Sequence, residues 1–255
     1  MKTEIRTAGR APQLDARPMP HRVGLIALAT DHSIEPDFAR VLTPAGVAVH
    51  VNRIPYANPV TPVTLAAMEP GLTAAAELIL PGEALDAVVF GCTSASVVIG
   101  DANVQRAVQA AKPGVPVVTP IAAAIAGLRA MAARRISVLT PYNMETSTPM
   151  ARHFEAQGFA LDRFTCLELE DDREMARIAL DELVEFARAA VAPGSEALFV
   201  SCTAVRAAGI IGQLEAATGV PVLSSNHAAA WNVLRICGIA GGGPGHLMTL
   251  PMGAL

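Results

Sequence analysis

Short apolar runs alternate with longer alanine-rich stretches along most of the chain. The runs are rich in β-branched residues and apolar throughout, which is typical of strands buried on both faces of a parallel sheet. Eight strands are predicted, at Val23–Leu28, Ala48–Asn52, Ala87–Phe90, Pro116–Val118, Ile136–Leu139, Ala160–Thr165, Ala197–Val200 and Pro221–Leu223. Helices are predicted at Thr73–Leu80, Val104–Ala111, Ala122–Ala133, Met150–Gln157, Asp181–Ala192, Ile210–Thr218 and Ala228–Cys237. This alternation indicates an α/β fold.

The chain also repeats itself at an offset of roughly 105 to 113 residues. Three segment pairs match in the same order: 86–94 with 196–204, 114–122 with 219–227, and 22–27 with 135–140. Three matches in register are hard to obtain by chance. We therefore predict two Rossmann-like halves with parallel sheets, related by a pseudo-twofold axis, and an active site in the cleft between them.

The halves are expected to span residues 22–133 and 134–237. Residues 1–21 form a polar N-terminal tail and residues 238–255 a C-terminal tail, and part of the C-terminal helix is expected to pack on the first half. The tail sequence Gly241-Gly-Gly-Pro-Gly245 lacks the Lys-Ser/Thr of a P-loop, so it is interpreted as flexible.

Composition narrows the class of protein. The chain has 255 residues, of which 52% are hydrophobic and 16% charged, which excludes a disordered chain. A net charge of -4 argues against nucleic acid or a membrane surface as partner. No apolar run approaches the roughly 20 residues of a membrane span, and the charged N-terminus does not resemble a signal peptide. A cytoplasmic protein is expected. Its apolar, alanine-rich helices favour a homo-oligomer, either a dimer or a tetramer.

Two of the four cysteines stand where chemistry is expected. Cys92 and Cys202 each follow a buried strand, immediately before a predicted helix. Ligands bind at such strand ends, and helix N-terminal amides lower a thiol pKa. Two thiols facing one cleft are suited to act as base and acid on opposite faces of a carbon.

Cys166 and Cys237 lack this context, and a buried structural role is expected for them. The sequence contains no C-x-x-C or paired-histidine spacing and no G-x-S-x-G elbow. Neither a structural zinc site nor a serine-hydrolase site is therefore expected. His32 and His227 are adjacent to the proposed site in sequence, but a hydrogen-bonded structural role is the stronger expectation for both.

The paired segments Gly91-Cys-Thr-Ser-Ala-Ser96 and Ser201-Cys-Thr-Ala-Val-Arg206 resemble the cysteine motifs of the Asp/Glu/hydantoin racemase superfamily. The likeness covers residues 22–237 and is strongest to maleate cis-trans isomerases and ectoine utilisation protein A, with arylmalonate decarboxylases more distant. It implies the Asp/Glu racemase fold and cofactor-independent chemistry. By this resemblance Cys92 is the nucleophile, Cys202 the proton donor or acceptor, and Tyr142 a ligand of a substrate carboxylate. The further substrate-binding residues expected are Asp31, Thr93, Ser94, Asp172, Thr203 and Asn226.

The chain departs from the maleate isomerases, which carry asparagine at Asp31 and near Asp172, and Ala204 replaces a polar residue usual in that branch. An ionised aspartate repels a second carboxylate and attracts an amine. Asp31 therefore suits a substrate bearing an amine, such as an ectoine-derived amino acid, and the run 167–178 resembles the ectoine utilisation branch. Equally, Asp31 is a plausible cap of the following helix.

The sequence therefore predicts an isomerase or racemase acting on a small carboxylate through two cysteines. Two alternatives remain at this point. One is an arylmalonate-type decarboxylase, although those enzymes resemble this scheme with only the second cysteine present. The other is a non-catalytic binding protein for a catabolic intermediate.

Overall fold

Two four-stranded parallel sheets form the frame of the molecule, in a computed structural model that describes residues 3–252. The strands are β1 His21–Leu28, β2 Val47–Ile54, β3 Ala87–Phe90, β4 Val117–Val118, β5 Arg135–Tyr142, β6 Ala160–Leu169, β7 Ala197–Val200 and β8 Val222–Ser224. Their order is β2-β1-β3-β4 in one sheet and β6-β5-β7-β8 in the other. Each predicted strand overlaps one of these, and the repeated order confirms two α/β halves of one topology.

Eleven α-helices are present in the described chain. They are α1 Ile34–Leu42, α2 Pro62–Ala66, α3 Leu72–Glu77, α4 Thr93–Ile99, α5 Asp101–Ala111, α6 Pro120–Ala130, α7 Met144–Ala156, α8 Asp172–Met175, α9 Leu180–Ala190, α10 Ile211–Thr218 and α11 Ser225–Ile236. Helices α6, α7 and α11 begin where the side chains of Thr119, Asn143 and Ser224 accept a backbone N–H three residues on. None of the helices between residues 3 and 252 combines the length and hydrophobicity that crossing a bilayer demands.

The centre of each sheet is dry. All four residues of β3 and all four of β7 are buried, in agreement with the apolar runs in the sequence. Phe199 on β7 packs edge-on against Phe154 of α7, with ring centroids 5.5 Å apart. These rigid central strands end at the residues that carry the candidate chemistry.

Helix α11 joins the two sheets, because it packs against α1 and α6, which cover the first sheet. The glycine-rich segment after it was expected to be flexible, and this expectation is wrong. His227 Nε2 lies 2.8 Å from the carbonyl oxygen of Pro244, and the Arg235 guanidinium donates to the carbonyls of Ile239, Gly241 and Met248. Side chains on α11 thus fix the segment, whereas the exact domain boundaries stay predictions.

Candidate active site

The two cysteines of the repeated motif line the same cavity. Cys92 lies two residues beyond β3 and Cys202 two residues beyond β7, and both are buried. The carboxyl ends of the two sheets face each other, so one thiol comes from each half. The cavity is lined by Leu28, Asp31, Tyr56, Val60, Cys92, Ser94, Tyr142, Asp172, Met175, Cys202, Thr203 and Ala204.

This cavity is closed. Its volume is about 20 Å³, which is room for about one water molecule. Hydrogen bonds between the halves hold it shut: the amide of Val60 donates to the carbonyl of Glu170, and the Thr146 hydroxyl donates to the carbonyl of Val60. Entry of any carboxylic acid substrate therefore requires the halves, or the loop that carries Val60, to move apart.

The backbone around the two cysteines differs, contrary to the prediction. Cys92 directly precedes α4, but Cys202 has φ of 89° and is followed by turns, so that α10 begins only at Ile211. The prediction failed because other groups take the carbonyls that a helix would use. Ser33 Oγ donates to the Ala204 carbonyl at 2.7 Å, and Asn226 Nδ2 donates to the Thr203 carbonyl at 2.8 Å.

Backbone amides nevertheless face both sulfur atoms. The amide of Ala95 donates to Cys92, and the amide of Ala204 donates to Cys202. These donors favour the thiolates, but burial opposes them more strongly. Burial raises the pKa of Cys92 to about 11 and that of Cys202 to about 12. The expectation of lowered thiol pKa values is therefore wrong for the closed cavity.

Tyr142 lines the same cavity as the two cysteines. Its hydroxyl interacts with the Cys202 thiol and the Ser94 hydroxyl, and burial raises its pKa well above the usual value. A second tyrosine, Tyr56, was missed in the sequence. Burial also raises the pKa of Tyr56, with Cys92 and Asp172 adding to the shift. Its position just beyond β2, at a carboxyl strand end, was the signal that could have revealed it.

Asp31 both caps a helix and lines the cavity. Its Oδ1 accepts hydrogen bonds from the amides of Ser33, at 2.7 Å, and Ile34, at 2.8 Å, at the start of α1. Its Oδ2 is buried and has no hydrogen-bond partner among the described residues. Burial raises the pKa of Asp31 to about 6, against the effects of the two amides, the Thr203 hydroxyl and the Arg53 charge. The structure confirms the helix cap, whereas an interaction of Asp31 with a substrate amine stays a prediction.

Asp172, by contrast, has partners for both carboxylate oxygens. Thr30 Oγ1 donates to Oδ2, and Asn58 Nδ2 donates to Oδ1 at 2.9 Å. These donors come from the first half, while Asp172 begins α8 in the second half. The residue therefore contributes negative charge to the cavity and a polar link across its closure.

Of the remaining predicted residues, Ser94 and Thr203 line the cavity, whereas Thr93 and Asn226 lie behind its wall. The Thr93 hydroxyl donates to Ser225 Oγ at 2.7 Å and ties α4 to α11. Asn226 holds the Cys202 loop from behind, as described above. His227 is fully buried, which lowers its pKa to about 4. Its ring contacts the C-terminal segment at Pro244 and does not line the cavity.

One group of side chains among residues 3–252 has metal-ligating atoms within 4.8 Å of one another: His21, Asp86 and Cys237. It lies at the start of β1, at the opposite end of the sheet from the cavity. Asp86 Oδ2 already accepts the Arg22 amide at 2.7 Å, and its Oδ1 lies 3.7 Å from the Arg17 guanidinium. This group therefore takes no part in the cysteine cavity.

Comparison with known proteins agrees with this geometry. The arylmalonate decarboxylase family profile matches residues 67–248. A maleate isomerase of Nocardia farcinica is 27% identical over 225 residues, covering 84% of this chain and 89% of the relative. An arylmalonate decarboxylase of Bordetella bronchiseptica is 30% identical over 127 residues, or 49% of this chain and 53% of the relative. A solved structure of the N. farcinica maleate cis-trans isomerase, with a covalently bound succinylcysteine intermediate, superposes with a TM-score of 0.82 at 24% identity, covering 90% of this chain and 98% of that one.

The paired halves and their shared cavity thus define an enzyme of the Asp/Glu racemase superfamily, as the cysteine motifs predict. Within it, the chain belongs to the arylmalonate decarboxylase family. Since these relatives are enzymes, the alternative of a non-catalytic binding protein is set aside.

Proposed function

We propose that the protein is a cofactor-independent isomerase that acts on a small carboxylate through Cys92 and Cys202. The observation that carries this proposal is the placement of two buried thiols, one from each half, in a single cavity with a backbone amide directed at each sulfur. Two acid/base groups on opposite sides of one carbon are what inversion of a centre requires.

In the racemisation route, the thiolate of one cysteine removes the α-proton and becomes a thiol. The electron pair of the C–H bond moves into the adjacent carboxylate as an enediolate. The thiol of the other cysteine then delivers its proton to the opposite face and becomes a thiolate. The Tyr142 and Ser94 hydroxyls supply hydrogen bonds for the developing charge. Charge and protons balance, and the reverse reaction restores the first state.

In the cis–trans route, the Cys92 thiolate adds to a carbon–carbon double bond while Cys202 protonates the neighbouring carbon. The resulting single bond rotates. Cys202 then removes the proton and the Cys92–carbon bond breaks, which releases the other isomer. The succinylcysteine intermediate of the N. farcinica enzyme supports a thioether of this kind in the fold.

The finer proposal concerns the substrate. The resemblance of residues 167–178 to the ectoine utilisation branch, together with the carboxylate of Asp31, favours an ectoine-derived amino acid over maleate. A second candidate is decarboxylation of an arylmalonate, which the match to that family supports. The presence of Cys92 favours isomerisation, because decarboxylation requires only one proton donor.

Proton NMR in deuterium oxide tests the proposal. The full chain is incubated with maleate, L-2,4-diaminobutyrate and its N-acetyl forms, beside Cys92→Ser, Cys202→Ser and the control Cys166→Ser, which lies outside the cavity. We expect deuterium at the α-carbon of an amino acid, or conversion of maleate, at a rate that falls about 100-fold or more in the first two variants. Carbon dioxide release from an arylmalonate without either change would favour decarboxylation instead.

A further inference from the structure

The charge inside the cavity is one-sided. Its walls contain two carboxylates, Asp31 and Asp172, and no lysine, arginine or histidine from the described chain. The other ionisable groups that face Asp31 are the Cys92 and Cys202 thiols and the Tyr56 and Tyr142 phenols, all of which carry negative charge when ionised. A ligand that enters this cavity meets no positively charged side chain.

Within this set, Asp31 Oδ2 is the acceptor that lacks a donor. Both oxygens of Asp172 are satisfied by Thr30 and Asn58. Asp31 Oδ1 is satisfied by two amides, but Oδ2 is buried without a partner in a side chain that is only 5% exposed. The Thr203 hydroxyl also lies close to this carboxylate, but it donates to the Gly91 carbonyl at 3.2 Å. A buried anionic oxygen without a partner is costly, so its place in the cavity wall points to a donor supplied by the ligand.

The nearest cation does not supply that donor. Arg53, on β2, donates to the backbone carbonyls of Leu28, at 2.8 Å, and Asp31, at 3.0 Å. Its other terminal nitrogen pairs with Glu35 at 2.8 Å. The guanidinium is thus bound behind the cavity wall, and its charge is shared with Glu35.

We propose that Asp31 Oδ2 accepts a hydrogen bond from a protonated amine of the substrate, which makes small amino acids, rather than dicarboxylates, the substrate class. An ammonium group brings three donors and the opposite charge. The Tyr142 and Ser94 hydroxyls remain for the substrate carboxylate. This inference rests on the proposed function, because it assigns a substrate class to the same cysteine cavity.

The pH dependence of binding separates this role from a protonated Asp31 that donates to a second carboxylate. Asp31 has a pKa of about 6, so it is ionised at pH 7.5 and protonated at pH 5. Affinity for an amine is therefore expected to fall as the pH decreases through 6, whereas affinity for a dicarboxylate is expected to rise. The other charged groups around Asp31 are Glu35 and Arg53, which lie behind the cavity wall, and Asp172, which lies across the cavity.

Calorimetric titration tests the proposal in a Cys92→Ser background, which prevents turnover. The probes are L-2-aminobutyrate and (S)-2-hydroxybutyrate, which differ only in ammonium against hydroxyl, together with maleate. At pH 7.5 we expect the amine to bind about tenfold or more tightly than the hydroxy acid. Asp31→Asn keeps a cap for α1 and is expected to abolish this preference. Asp86→Asn, at the far end of the sheet, is the matched control and is expected to retain it.

A preference for the amine that survives Asp31→Asn, or tighter binding of maleate than of the amine at pH 7.5, would overturn the inference. Its failure is distinct from failure of the proposed function. If the protein converts maleate in a cysteine-dependent reaction but does not bind the amine, the proposed isomerase function stands and the amine site is refuted. If the amine binds in an Asp31-dependent way but the cysteines catalyse no proton exchange, the amine site stands and the proposed isomerase function is refuted.

Discussion

Asp31 is both a helix cap and part of the cavity wall. One of its oxygens accepts hydrogen bonds from two backbone amides at the start of α1. The other lies in the cavity wall without a hydrogen-bond partner among the described residues. A raised pKa in the folded state means that folding takes up a proton between pH 4 and 6. The ionised carboxylate is therefore a source of instability at neutral pH.

Asp31→Asn is accordingly expected to stabilise the protein at neutral pH. Since the pKa rises from 3.8 to about 6, the ionised carboxylate costs up to roughly 3 kcal/mol at pH 7.5, and this cost disappears near pH 4. Urea unfolding at both pH values measures the difference. A gain of equal size at pH 4 and 7.5 would show that charge is not its origin.

At the scale of elements, the cysteine loops differ although the strands before them match. Helix α4 follows Cys92 at once, whereas turns follow Cys202 and are held by Ser33 and Asn226. Asn226 Nδ2 also donates to the buried carboxylate of Asp37 at 2.9 Å. The Cys202 loop thus takes its shape from Ser33, just before α1, and from Asn226 on α11.

Asn226→Ala is expected to loosen this loop. Removal of the Asn226 amide leaves the Asp37 carboxylate and the Thr203 carbonyl without this hydrogen-bond donor. The free energy of unfolding is expected to fall by about 1–3 kcal/mol. Iodoacetamide labelling with peptide mapping should then show faster alkylation of Cys202 than of Cys92. Asn103→Ala, which removes a hydrogen bond to Ile99 on the first half, is the control and should leave the Cys202 rate unchanged.

The strands and the cysteine pair could be predicted because each depends on local sequence. Apolar runs such as Ala87–Phe90 are buried on both faces, and the duplicated Cys-Thr marks equivalent strand ends. The turn after Cys202 could not be predicted, because the hydrogen bonds that hold it come from Ser33 and Asn226, which are distant in sequence. The raised thiol pKa values likewise depend on the closure of the cavity, which involves contacts between halves far apart in sequence.

At the scale of the whole molecule, the C-terminal segment connects both halves. Leu247 is fully buried, and a Cβ at Gly127 of α6 would lie 3.1 Å from its side chain. On the other side, a Cβ at Gly245 would lie 2.4 Å from Ile211 of α10, so only glycine allows this approach. The segment therefore stabilises the arrangement of the two sheets.

Leu247→Ala is expected to destabilise the fold by about 2–5 kcal/mol, because it leaves a cavity between the segment and α6. Chemical denaturation monitored by the fluorescence of Trp231, which donates to the Leu250 carbonyl, reports on this region directly. Leu14→Ala is the matched control, since Leu14 is 82% exposed and should change stability little. Equal effects of the two substitutions would contradict a structural role for the segment.

The small volume of the closed cavity has a kinetic consequence under the racemisation route. Each turnover leaves the two sulfur atoms in exchanged protonation states, so the free enzyme exists in two forms, each competent for one enantiomer. Because both thiols are buried in a cavity with room for about one water, exchange of their protons with the solvent is slow until the cavity opens. At high substrate concentration, the return of the free enzyme to its starting form, rather than the chemistry, then limits the net flux.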